Sequence, residues 1–138
     1  MNDMSKTLVI AVVLGTAGWW YWGRTLEPVR VIRAQLEAIE KGDMSQAYGY
    51  LTPEAQRSIP ITAFEARARG HSGVAKAYDS TFLTRHIEQN VATISGTVDG
   101  YDGQVSNVSY VLIKEEGGWK IQSFNWSPPR GKKEPLLQ

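Results

Sequence analysis

The sequence contains no cysteine and only two histidines, His71 and His86. Disulfides, thiolate nucleophiles, Cys-ligated zinc and iron–sulfur clusters are thereby excluded, and so is an all-histidine metal site. Net charge is nearly absent too, with 15 Lys+Arg against 14 Asp+Glu. Such a chain has no basic field with which to neutralise a run of phosphates, which argues against nucleic acid as a partner. Phosphate-binding glycine loops are missing, since Gly96, Gly100 and Gly103 punctuate turns rather than open a helix. Asp99-x-x-Asp102 lacks the further ligands of a calcium loop and reads as a pair of turn formers. No cofactor and no metal is expected.

What is present begins with an uncharged run at residues 7–23, TLVIAVVLGTAGWWYWG, bounded by Lys6 and Arg24. Its length lies at the short end of what crosses a bilayer as a helix. Trp19, Trp20, Tyr21 and Trp22 close it, and such rings suit the headgroup level. A cleaved signal would carry small residues there instead. The reading is a tail at residues 1–6 and a single-pass transmembrane anchor at 7–23. Arg24, Arg30 and Arg33 favour a cytoplasmic domain by the positive-inside count. Against that, a very short tail with one Lys ahead of an apolar run is the layout of a signal anchor, and an extracytoplasmic domain is the expectation adopted.

Beyond residue 26 acidic and basic side chains balance, and the remaining chain is long enough to bury a core. Val29, Ile32, Leu36 and Ile39 fall on one face of a helix opened by Glu27-Pro28 and closed by Gly42. Asp43 to Gln46 resembles a capping box, with Ala47, Tyr48 and Leu51 as the apolar face that follows. Thr52-Pro53 starts a short helix that ends at Ile59-Pro60, and Thr62 to Glu65 is a second capping box for a helix ending at Gly70. From residue 74 the pattern turns to strands: Ala77 to Arg85, Ile87 to Val98, Val105 to Glu115 and Trp119 to Ser127. Turns are expected between the first two strands, at Asp99 to Gly103, and at Glu116-Gly117-Gly118. Residues 128–138, PPRGKKEPLLQ, read as a flexible tail. Helices followed by a meander of strands give an α+β class, three or four helices on one face of an antiparallel sheet of about four strands.

The stretch Pro28 to Tyr48, with its amphipathic helix, Gly42-Asp43 pair and Ala47-Tyr48 step, followed by Leu51-Thr52-Pro53-Glu54, resembles the opening of the NTF2-like superfamily, a cystatin-like α+β cone. Gly118-Trp119-Lys120-Ile121 is similar to the G-x-W-x-I start of its final strand. The likeness is greatest to small uncharacterised bacterial members of the DUF4864 and DUF4878 type, and it covers most of residues 27–127. It implies a bent sheet wrapped around the first helix, with a cavity or a dimer surface at the open side.

Catalytic members of that superfamily set an Asp, His or Tyr inside the cone, and here the resemblance makes Tyr48, Tyr50, His71, Tyr78, His86 and Tyr110 the candidates. His86 shares strand parity with Glu88, which allows a same-face pair. His71 follows Gly70 at a helix end, where a capping cation is favoured. Tyr48 and Tyr110 sit on apolar faces, and Trp119 and Trp126 are expected between sheet and helix. No catalytic cluster stands out, and two functions remain. The preferred one is a non-catalytic, membrane-anchored interaction module, an accessory or assembly subunit bound to other membrane-complex subunits or to a second copy. The alternative is a small-ligand binder or enzyme that uses the cone, with Tyr48, Tyr78, His86 and Tyr110 as polar contacts. A cavity of several hundred Å³ with convergent polar groups favours the second, and a cone plugged by Trp119, Phe124 or Trp126 favours the first.

Overall fold

The computed structural model describes residues 26–129. The anchor read at residues 7–23, with Trp19, Trp20, Tyr21 and Trp22, and the tail from residue 130 lie outside the described residues. Among the described residues no helix is long and apolar enough to cross a membrane.

Helix α1, residues 26–40, buries the predicted stripe: Val29 and Ile32 are fully buried, and Leu36 and Ile39 nearly so. Its end is a Schellman motif, in which the Asp43 N–H donates to the Ala38 carbonyl and the Gly42 N–H to that of Ile39. Gly42 sits there at φ +82°, a conformation that costs glycine nothing. Helix α2, Met44–Gly49, starts on Asp43, whose carboxylate accepts from the Gln46 N–H at 3.1 Å. The reciprocal half of the box does not form, because the Gln46 side chain turns to the Tyr50 hydroxyl. Thr52 caps α3, Pro53–Ser58, through the Ala55 N–H at 3.0 Å.

Three local expectations are corrected. Helix α4, Ile61–Gly70, begins before Thr62, so Thr62 and Glu65 form no capping box; Pro60 already has extended dihedrals and its carbonyl takes the Phe64 N–H. Glu65 pairs with Arg69 instead, one turn on. A further single turn, α5, Ser72–Ala75, follows His71, so five helices rather than three or four precede the sheet among the described residues. The first strand also runs on past Arg85.

Strands β1, Ala77–Glu88, β2, Val91–Gly100, β3, Val105–Glu115, and β4, Gly118–Trp126, form one antiparallel meander in that order. The first hairpin turns at Gln89-Asn90, where Gln89 takes φ 55°. A residue of extra length between Thr81 and Thr84 forms a bulge in β1, which sends Phe82 into the core and leaves Leu83 87% exposed. Further irregularities sit in β1 between Ala77 and Asp79 and in β4 between Ile121 and Ser123. Ala92, Ile94 and Val98 of β2, and Val108, Tyr110 and Leu112 of β3, point inward, and with the α1 stripe they make one hydrophobic core. The outer edge of β4 is covered by the segment before α3, since the Thr52 N–H donates to Ile121 and the Ile121 N–H to Tyr50.

Candidate functional site

The resemblance implies a cavity or a dimer surface at the open side of a bent sheet, on the face that wraps around the helices. Aromatic rings occupy that space. Phe82 of β1 meets Tyr110 edge-on at 6.3 Å, and the Tyr110 hydroxyl accepts from Trp126 Nε1 at 2.8 Å. Trp126 lies against Phe64 of α4 at 6.0 Å and against Phe124 at 4.5 Å, and Phe64 meets Tyr48 at 5.6 Å. Ring pairs at such spacings are attractive as well as space-filling. The row thus runs from β1 through β3 and β4 to α4 and α2.

The polar atoms along this row are committed to the fold. The Tyr48 hydroxyl lies 2.8 Å from the Gln56 carbonyl and 2.6 Å from that of Ile59, sharing its one proton between them, and so ties α2 to the end of α3. Burial pushes the Tyr110 phenol well above its ordinary value, partly offset by the indole N–H it accepts. The His71 ring is fixed in one tautomer by its neighbours. Its Nδ1 accepts the Val74 N–H at 3.2 Å, so Nε2 carries the proton and donates to the Ser127 carbonyl at 2.6 Å. His71 is therefore a cap, as its position suggested, on both sides: its backbone N–H, on the Ala68 carbonyl, ends α4, and its side chain starts α5.

The four tyrosine and histidine candidates are not brought together. Tyr48 and Tyr110 belong to the aromatic row, whereas Tyr78 is 59% exposed at the start of β1. His86 lies toward the far end of the same strand, its Nε2 3.7 Å from Glu88 with both side chains mostly in water. That pairing is the same-face one that strand parity allowed, and at the surface it carries little energy. Trp119 and Trp126 are buried, and no group of three metal-ligating side chains occurs among the described residues.

Open clefts lie outside the filled centre. One of about 390 Å³ runs over the outer face of the sheet, between hydroxyls and amides such as Thr81, Thr97, Asn107 and Ser127. A second, about 530 Å³, opens between α4 and β4, where the Arg67 guanidinium covers the Phe124 ring at 5.5 Å. The third, about 560 Å³, separates the C-terminal half of α1 from the start of β1. Its walls carry Arg33, Glu37 and Glu40 on the helix and Tyr78, Asp79 and Tyr101 on the sheet side. A hydrogen bond from Lys41, and then its charge, hold the Glu37 carboxyl below its usual value. Sequence reading singled out Tyr78 but missed its partner Tyr101, whose ring lies 5.3 Å away. The available signal was a large aromatic in the turn Asp99 to Gly103, where no core position awaits it.

Comparison with known proteins places this geometry. No curated protein matches the chain. Among the solved structures that share its fold at low identity are two bacterial proteins. A Campylobacter jejuni protein given the provisional name NTF2-like transpeptidase is 16% identical, with a TM-score of 0.51 over 70% of this chain and 97% of that one. A Novosphingobium aromaticivorans protein given the provisional name aromatic ring hydroxylase is 15% identical, with a TM-score of 0.53 over 78% of this chain and 92% of that one. At these identities the likeness is one of fold, the NTF2-like cone, and not of activity. The family described as Domain of unknown function (DUF4864) matches residues 25–133, and the chain belongs to that family.

Proposed function

We propose that this chain is a membrane-anchored interaction module, a non-catalytic accessory or assembly subunit of a membrane protein complex. The supporting observation is the aromatic row of Phe82, Tyr110, Trp126, Phe64 and Tyr48, which fills the side of the sheet where a ligand-binding cone would be hollow. A binding pocket needs space and a few convergent polar groups. Here the Tyr48, Tyr110 and His71 polar atoms each bond to the protein itself, and Tyr78 and His86 stand on its surface. In this reading residues 7–23 hold the domain to the bilayer, on the extracytoplasmic side, and the surface clefts meet other subunits.

The test is co-purification in mild detergent of the tagged full-length chain and of a chain lacking residues 1–26. Protein partners in fixed ratio, kept by the full-length chain and lost with its N-terminus, are the expected result. A chain that carries no partner and retains a small molecule would move the function to ligand binding or catalysis in the cone.

A further inference from the structure

The cleft between α1 and β1 combines features the fold does not need. Tyr78 and Tyr101 lie against each other with their rings tilted by 40° yet remain 59% and 66% exposed, so two aromatic rings stand in water side by side. They are held rather than loose. The Tyr101 N–H donates to the Lys76 carbonyl at 3.0 Å, and the turn behind it is closed by Gly103 on the Gly100 carbonyl and by Gln104 on the Asp102 carboxylate. Facing the rings are carboxylates. Glu37 is paired with Lys41 at 2.8 Å, and the Lys41 charge also acts on Glu40, but among the described residues neither Glu40 nor Asp79, whose carboxylate accepts from the Ser80 N–H at 2.9 Å, has a cation within ion-pair distance. Among the described residues the one cation in the walls, Arg33, is turned onto the sheet, with its Nε 3.4 Å from the Ser80 hydroxyl and its guanidinium over Phe82. What the cleft offers is ring faces and negative charge.

We infer that this cleft is the docking groove for an extended, basic segment of a partner protein, whose Lys or Arg side chains lie on the Tyr78 and Tyr101 rings while their charges meet Glu40 and Asp79. This deepens the interaction reading and rests on it. Aromatic faces attract ammonium and guanidinium groups through the ring quadrupole, and nearby carboxylates add to that attraction. The shape suits a peptide better than a compact ion. The helix wall runs from Arg33 to Glu40, about 10 Å at 1.5 Å per residue, and the strand wall runs from Ala77 to Ser80 opposite it.

The experiment uses the full-length chain in detergent and a fluorescein-labelled peptide of alternating Arg and Gly, read by anisotropy, with an alternating Glu and Gly peptide as control. The groove predicts binding of the Arg peptide alone, weakened as salt rises and reduced about tenfold in the Tyr78→Ala/Tyr101→Ala chain. Glu40→Gln/Asp79→Asn, which removes the charge but no ring, is expected to weaken it by a similar factor. Equal affinity of the wild-type and ring-less chains for the Arg peptide overturns the groove. So does binding that appears only once residues 130–138 are removed, which would make the chain's own Arg130, Lys132 and Lys133 the occupant. The co-purification separates the two claims: a partner still retained in fixed ratio by the Tyr78→Ala/Tyr101→Ala chain leaves the interaction module standing and overturns this groove.

Discussion

Three buried polar side chains show how far single residues are committed to holding the fold. Gln35 is fully buried on α1, where its Nε2 donates to the Ala47 carbonyl at 3.3 Å and its Oε1 has no partner among the described residues. Ser106 is buried, its hydroxyl without a partner among the described residues, and lies close enough to Gly73 that a methyl group there would stand 2.8 Å from its Oγ. Tyr110 is buried and satisfied by Trp126, and it yields a prediction. In the unfolded chain its phenol ionises at about pH 10. Folding raises that value, so the protonated phenol's contribution to stability is full below about pH 10 and is lost as pH climbs above it, by up to about 1.4 kcal/mol per pH unit. Denaturant unfolding at stepped alkaline pH is expected to show a flatter decline in Tyr110→Phe than in the wild type, from a lower starting stability because the Trp126 N–H loses its acceptor. Identical alkaline slopes would contradict the account.

At the scale of elements, the β1 bulge explains both what was readable and what was not. The α1 stripe and the alternation of β3 follow from which side faces the core, and periods of 3.6 and 2 record that in the order of residues. A bulge breaks the period. It places Phe82 inward and Leu83 outward, and it lays the Thr81 carbonyl directly over Gly96, where an added Cβ would stand 1.9 Å from that oxygen. Gly96→Ala is therefore expected to cost at least about 3 kcal/mol or to prevent folding, because backbone and not a flexible side chain must move. Thermal unfolding of the variant checks this, and a loss below about 1 kcal/mol would mean that the bulge is not formed as described. The hairpin turn was misplaced for a related reason: Gln89 is not a residue that advertises a turn, yet it takes the left-handed conformation here. The edge of β1 is guarded in ways that only the folded chain reveals. Arg85 Nε donates to the Phe82 carbonyl at 2.7 Å and Arg33 reaches the Ser80 carbonyl, so these acceptors are capped against strand addition.

For the molecule as a whole, the order of helices and strands was legible because caps, glycines and alternating runs each act locally. Tyr48 and Tyr110 stood on apolar faces in the sequence and do so in the structure, but no periodicity says that a hydroxyl will find Trp126 or the carbonyls of Gln56 and Ile59. Nor does it say that Tyr78 and Tyr101, from two separate segments, will meet beside α1. Those pairings depend on how the sheet meets the helices, which is a property of the assembled fold. The central claim is that the concave side is filled and that the protein's work is done at its surface. Native mass spectrometry of the full-length chain released from mild detergent tests it most directly. The account predicts the 15.4 kDa chain as a multimer or with protein partners in whole-number ratio, and without added small mass. A small molecule bound one to one and released only on unfolding would contradict it.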